Sequence, residues 1–322
     1  MFRILAALVL LFLPPVALSF TPIAPAGELF FVGVIPALVG LLHGRRFATG
    51  VALVTAGVVA MVLLANPYRE LSVVLMVVIG LAIGASAIRG WQTIATVISS
   101  WPAVLLVGAP LVVPGFGWAS ALPGSALFGV AAALAGGLWT VLIGYLMLRR
   151  LPTSPLVPLS AITALVYGIA LAVLLGTTTL LVTTWGHGTM AGWVLLTILV
   201  IARPGLTETW RRVLARSLGT VAGGTVAALL ALAVQVEWVL AALGFVALAA
   251  AILLQLTKAN YALYSVALTA AVVLINSRTT NLFAVDLERV GFTVAGAIVT
   301  AILLVLLSAV VRRREPGVEL RD

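Results

Sequence analysis

The chain has 322 residues, of which 63% are hydrophobic and only 8% are charged, and its formal net charge is +9. No water-soluble core of this size requires so apolar a composition, so we expect a polytopic membrane protein. The basic residues occur in short clusters between apolar runs, which is typical of cytoplasmic loops and not of a nucleic-acid-binding face. The absence of cysteine excludes disulfides, thiolate chemistry and cysteine-based metal sites. His43 and His187 lie far apart in the sequence, and we predict no metal site.

Apolar runs long enough to be membrane helices follow one another along the whole chain. A bilayer core requires about 20 helical residues. The runs predict spans near 4–20, 27–42, 47–65, 71–88, 92–113, 125–148, 157–176, 188–202, 212–234, 238–256, 259–276 and 290–311. Turn-forming or charged stretches separate them, such as "NPYRE" at 66–70 and "RRLPTSP" at 149–155. The predicted fold class is therefore all-α, with about twelve transmembrane helices.

The distribution of the basic residues predicts how these spans are oriented in the membrane. With twelve spans, alternate connections lie on the same side of the membrane, and fifteen Lys and Arg residues fall on one side. The other side has three, which are Arg69, Arg278 and Arg289. Because cytoplasmic loops carry an excess of Lys and Arg, both termini are predicted to be cytoplasmic.

The first span has a second interpretation. Arg3, the apolar stretch 4–13 and "VALS" at 16–19 are also typical of a secretory signal with its cleavage site. We expect a retained helix, with a cleaved signal over residues 1–19 as the alternative.

Three segments of the first half have parallels, in the same order, in the second half. "GRRFATGVALVTAGVVAMVLLANP" from residue 44 parallels "WRRVLARSLGTVAGGTVAALLALAV" from residue 210. The segments 87–107 and 256–276 form a second pair, and the segments ending at 152 and 316 form a third. The parallels predict two six-helix repeats, over 1–150 and 151–314, followed by a short cytoplasmic tail at 315–322. Parallel repeats of this kind usually surround a transport pathway.

Acidic residues are placed unfavourably for catalysis or proton relay. No Asp or Glu falls near the middle of a predicted span, which argues against a proton relay at the bilayer midplane. The sequence also offers no Ser/His/Asp set, no paired carboxylates and no GxxxxGK[ST] phosphate-binding loop. We therefore predict no enzyme activity and no cofactor.

Cations and aromatic residues meet at the cytoplasmic ends of several predicted helices. Arg89 precedes Trp91, Lys258 precedes Asn260 and Tyr261, and Arg216 begins its own span. Cations at these places can attract an organic anion, and aromatic faces can stack on an aromatic one. The alternative is that Lys and Arg reach lipid phosphates while Trp and Tyr form the interfacial belt. We favour that alternative for the arginine clusters at helix ends, namely Arg45, Arg46, Arg149, Arg150, Arg211, Arg212 and 312–314.

One segment resembles a known family. In "RSLGTVAGG", Arg216, Gly219, Thr220 and Gly223 match the Arg-x-x-Gly-Thr-x-x-Gly signature of the fusaric acid resistance protein-like family, also called aromatic acid exporters. "NYALYSVALTAAVVLI" at 260–275 resembles the family's Asn-Tyr segment, and Gly296 stands at the family's spacing after Arg289. The resemblance is clearest over 155–314 and fainter over 20–150. Larger members carry a sizeable cytoplasmic domain, in whose place this chain has only "RRLPTSP" between the halves.

The resemblance implies a bacterial inner-membrane exporter, or a channel-like permease, of organic anions such as aromatic carboxylic acids. The expected partners are a small organic anion and membrane lipid, without nucleic acid, and homo-oligomer formation is left open. The predicted substrate pathway consists of Arg89, Trp91, Arg216, Lys258, Asn260 and Tyr261. The residues predicted to pack helices beside it are Gly219, Thr220, Gly223 and Gly296. Two alternatives are a non-transporting scaffold in envelope or lipid metabolism and a cation-coupled transporter of neutral solutes.

Overall fold

The architecture is helical throughout the part of the chain that the structure describes. The computed structural model describes residues 2–19, 21, 23–108, 122–148, 155–185, 191–204, 206–234, 236–257, 260–275 and 291–302. Within these ranges the helices are α1 Phe2–Ser19, α2 Ala24–Leu41, α3 Arg45–Ala65, α4 Arg69–Ala87, α5 Gln92–Val107, α6 Leu122–Met147, α7 Ala161–Trp185, α8 Gly192–Ile201, α9 Leu206–Ala233, α10 Glu237–Leu256, α11 Tyr261–Ile275 and α12 Gly291–Ile302.

Each of the twelve predicted segments overlaps one of these helices. Six of the helices, α3, α4, α6, α7, α9 and α10, are long and apolar enough to cross a membrane, and the other six are shorter apolar helices. The prediction of an all-helical membrane protein is confirmed for the described residues. The number of helices that cross the bilayer and the cytoplasmic position of the termini stay predictions.

Differences of six residues or more from the predicted bounds occur in α5, α7 and α9. α5 ends at Val107, six residues before the predicted end at 113. α7 continues to Trp185 where the apolar pattern predicts an end near 176. In its threonine-rich last turns, the hydroxyls of Thr179 and Thr183 donate to the carbonyls of Leu175 and Thr179, so these polar groups are satisfied within the helix. α9 begins at Leu206, six residues before the predicted start, so its first turns are polar.

The described chain divides into two compact units between Val200 and Ile201. The predicted repeat boundary at 150–151 rests on sequence parallels and stays a prediction. In the first unit, α6 packs against α2 and α3. Val32, Val59 and Ala133 form a buried core where these three helices meet.

α4 packs extensively against α7 in the first unit. A methyl group placed on Gly80 would lie 2.5 Å from the backbone nitrogen of Ala172, and Gly84 meets Gly168 in the same way. Small residues let membrane helices approach until their backbones touch, which increases dispersion contacts where lipid offers no hydrophobic gain. The glycines spaced by four therefore determine how close α4 and α7 come.

Asn66, at the end of α3, closes the C-terminal end of α5. Its side-chain nitrogen donates to the carbonyl oxygens of Leu105 at 2.9 Å, Leu106 at 3.0 Å and Gly108 at 3.2 Å. The last carbonyls of a helix have no partner within the helix, and an unsatisfied carbonyl is costly in an apolar environment. Asn66 thus supplies the donors that α5 lacks.

In the second unit, α11 packs against both α9 and α10. Ala227, Leu240 and Leu274 form the buried core of this three-helix group. A further cluster joins Ile201 and Val213 to Ala297 of α12. The pairing of α9 with α11 parallels the pairing of α3 with α5, as the predicted repeat requires, although the repeat itself stays a prediction.

A glycine substitution at the α4 contact should weaken the fold. We expect Gly80→Ala to lower the free energy of unfolding by about 1–3 kcal/mol, because the added methyl collides with the α7 backbone. The measurement is thermal unfolding of the purified protein in detergent, followed by tryptophan fluorescence.

Gly57→Ala in α3 is the matched control. No described atom lies within 4 Å of a methyl group placed there, and alanine is favoured over glycine in helices by about 1 kcal/mol. Equal unfolding temperatures for the two variants would contradict the packing role of Gly80.

Candidate functional site

One face of α9 turns toward α11 in the second unit. Positions three and four apart lie on the same side of a helix, so Arg212, Arg216, Gly219, Thr220 and Gly223 share this face. All of them except Arg212, which is partly exposed, are buried. We call these five residues the α9 face.

The two helices meet at the glycines of the α9 face. A methyl group on Gly219 would lie 2.5 Å from Cβ of Ser265 and 3.0 Å from the carbonyl oxygen of Ala262. One on Gly223 would collide with the carbonyl oxygen of Val266. The absence of side chains at these two positions brings α9 and α11 into backbone contact, as the small-residue spacing predicts for membrane helices.

The buried charge of Arg216 lies at this contact of α9 and α11. Its side chain is 2% exposed, and within the described residues Nε and Nη1 have no hydrogen-bond partner. Burying an unpaired cation is among the most costly arrangements in a protein, and ionisable groups inside membranes are usually functional. The guanidinium is therefore suited to an anionic partner that the described residues do not supply to Nε or Nη1.

Thr220 adds a second unpartnered group one turn further along the α9 face. It is 3% exposed, and within the described residues its hydroxyl has no partner. A helical threonine commonly donates to the carbonyl four residues earlier, as Thr300 does to Gly296. For Thr220 that acceptor is the carbonyl of Arg216, which instead accepts a hydrogen bond of 3.3 Å from Ser265 Oγ.

Tyr261 faces α9 from the first turn of α11. The guanidinium carbon of Arg212 lies 5.0 Å from the centre of its ring, and the ring of Tyr264 lies 5.6 Å away. The hydroxyl of Tyr261 is buried and, among the described residues, has no hydrogen-bond partner. Arg216, Thr220 and Tyr261 therefore bring three groups with unused donors to the α9 and α11 contact.

Asn260 has a structural role in the same turn. Its side-chain oxygen accepts a hydrogen bond of 2.9 Å from the backbone nitrogen of Ala262. This satisfies one of the free backbone donors at the start of α11. The predicted contact of Asn260 with substrate stays a prediction, and Lys258 lies outside the described residues.

Residues 177–305 match the family model of the fusaric acid resistance protein-like proteins. We call this stretch the fusaric acid resistance protein-like region, because the chain is similar to that family there. The match contains the whole α9 face and α11, so it confirms the family resemblance that the residues around Arg216 indicate. No curated protein and no solved structure matches the chain.

The other predicted site residues are not part of the α9 face. Arg89 and Trp91 belong to the first unit, outside the fusaric acid resistance protein-like region; both are exposed, with the guanidinium carbon 5.6 Å from the ring centre. Trp91 also makes an edge contact of 5.6 Å with Phe47. Gly296 is buried in α12.

Sequence reasoning passed over two residues of the fusaric acid resistance protein-like region. Arg212 was interpreted as a topology marker, and Ser265 was not singled out. The spacing of four between Arg212 and Arg216 was the available signal for the first. Nothing in the sequence indicates that Ser265 takes the carbonyl that Thr220 would otherwise use, because that depends on the crossing of two helices.

Replacing Arg216 by methionine should separate stability from function. Methionine has a similar length and no charge, so we expect Arg216→Met to leave the free energy of unfolding unchanged or to raise it by about 1–4 kcal/mol. Thermal unfolding in detergent without added organic anions measures the effect. Arg46→Met, at an exposed position of α3, is the control and should change stability by no more than about 0.5 kcal/mol.

The opposite result would give Arg216 a structural role. A loss of several kcal/mol in Arg216→Met would mean that the guanidinium stabilises the helix contact.

Proposed function

We propose that this protein transports small organic anions across a membrane, and that Arg216 binds the anion during transport. The observation that carries the proposal is the buried guanidinium of Arg216, which has no hydrogen-bond partner for Nε or Nη1 among the described residues. The family match supports a function in membrane transport or efflux.

The chemistry of the α9 and α11 contact favours a carboxylate as the anionic group. A guanidinium binds carboxylates through charge-assisted hydrogen bonds, which are stronger than neutral ones. The hydroxyls of Thr220 and Tyr261 provide further donors. Aromatic rings prefer edge or offset contacts with other rings, and Tyr261 and Tyr264 offer such surfaces.

We therefore propose aromatic carboxylic acids as the substrate class, with export across the bacterial inner membrane as the physiological direction. The exposed pair of Arg89 and Trp91 is proposed to attract such anions from solution, as is Lys258. The proposal assigns no catalytic residue and no cofactor. It also requires no titrating carboxylate at the bilayer midplane, where the sequence offers none.

The test is flux of terephthalate from loaded proteoliposomes. This aromatic dicarboxylate is fully ionised at neutral pH, so its leakage through lipid is slow. We expect Arg216→Gln to lower the flux about tenfold or more, since a hydrogen bond to a charged group contributes about 1.5–3 kcal/mol. Arg46→Gln should keep the flux of the unmodified protein.

A second variant separates the buried charge from the exposed one. Arg89→Gln should cause a smaller decrease that vanishes at high salt, because exposed charges are screened beyond about 10 Å at moderate ionic strength. Absence of flux from the unmodified protein, together with stable co-purification of lipid or a partner, would contradict transport and favour the scaffold.

A further inference from the structure

Two arginines of the α9 face stand at successive depths. Arg212 and Arg216 are four residues apart, which places them one helical turn and about 6 Å apart along the axis. Arg212 is partly exposed, whereas Arg216 is 2% exposed. The face therefore presents one cation near its accessible end and a second one inside.

Like charges at this spacing repel each other in an isolated helix. The repulsion is relieved when an anion binds between them or at either one. Tyr264 of α11 lies within Coulombic range of both Arg212 and Arg216, so the two cations act on the same part of the facing helix. This arrangement suits an anion that passes from one arginine to the next.

Arg212 brings a cation and an aromatic ring together at the accessible end of the α9 face. Its guanidinium lies over the ring of Tyr261, with 5.0 Å between the guanidinium carbon and the ring centre. A guanidinium binds a carboxylate through charge-assisted hydrogen bonds, and an aromatic ring contacts another ring by its edge or in an offset stack. The pair therefore offers contacts to both ends of an aromatic carboxylate.

Arg211, the neighbouring arginine, does not turn toward α11. Successive residues of a helix point in directions about 100° apart, and Arg211 is exposed while Arg212 turns toward α11. The parallel between the halves aligns Arg46 with Arg212 and Gly50 with Arg216. At the position that corresponds to the buried cation, the first half thus has an exposed glycine.

We propose that Arg212 and Tyr261 form an outer subsite that captures an aromatic carboxylate and passes it to Arg216. This inference rests on the proposed function, because it describes a step of the same transport. It assigns Arg212 to substrate capture, which the topology interpretation of the arginine cluster does not. Capture should determine the concentration at which transport is half-saturated, and Arg216 should determine the maximal flux.

The experiment compares neighbouring arginines in terephthalate flux over a range of substrate and salt concentrations. We expect Arg212→Gln to raise the half-saturating concentration about threefold to tenfold at low salt, with little change in maximal flux. The difference should shrink at high salt, since the position is partly exposed. Arg211→Gln and Arg46→Gln, which remove one charge each, should behave like the unmodified protein.

A conservative variant tests whether the effect is electrostatic. Arg212→Lys keeps the positive charge, so it should restore most of the capture and its salt dependence. A purely structural role of Arg212 in packing against Tyr261 would not be rescued by lysine and would not depend on salt.

The outcomes separate this inference from the proposed function. If the unmodified protein carries flux that Arg216→Gln abolishes, but Arg212→Gln equals Arg211→Gln, the outer subsite is wrong and the transport function stands. If Arg212→Gln lowers maximal flux and leaves half-saturation unchanged, capture by Arg212 is also wrong. If the unmodified protein carries no flux at all, both proposals fail.

Discussion

The burial of one guanidinium between two helices in backbone contact is the constraint on which the second unit depends. Gly219 and Gly223 bring α9 into backbone contact with α11, and the α9 face is buried from Arg216 onward. Arg216 is 2% exposed there. A charge enclosed in this way cannot be solvated by bulk water, so its free energy depends on whichever anion reaches it.

Many polar groups elsewhere in the described chain have hydrogen-bond partners, although Gln92 Oε1 and Thr197 Oγ1 are also buried without one among the described residues. Asn66 donates to three carbonyls at the end of α5, and threonines such as Thr140 and Thr179 donate to the carbonyl one turn earlier. A membrane offers no water to replace such partners, which makes unsatisfied groups costly. Against this background the unpartnered hydroxyls of Thr220 and Tyr261 beside Arg216 form a concentration of unused hydrogen-bonding capacity. Transport of an anion requires donors that are available but not permanently engaged, and this contact has them.

Much of the helical framework could be predicted because the bilayer restricts it so strongly. Every apolar run of suitable length became a helix, since a chain in lipid must satisfy its backbone groups internally. The end of α7 and the start of α9 were less predictable, because threonine hydroxyls and polar first turns extend a helix without adding to its apolar pattern. The predicted site residues have different environments in the structure: Arg216 is buried, Arg89 is exposed, and Asn260 caps its own helix.

The sequence by itself determined the class of protein, the order of its helical segments and the family to which residues 177–305 are similar. These follow from local properties, namely the length of apolar runs, the distribution of basic residues and a short spacing of Arg, Gly and Thr. Only the tertiary structure decided which arginine of the cluster at 211–216 is exposed, which stacks on a tyrosine and which is buried with Nε and Nη1 unpartnered among the described residues. Helical periodicity assigns each arginine to a face, but its burial and partners depend on which helix packs there and how closely. For this cluster, burial and partners depend on Gly219 and Gly223 of α9 and on how α11 crosses α9.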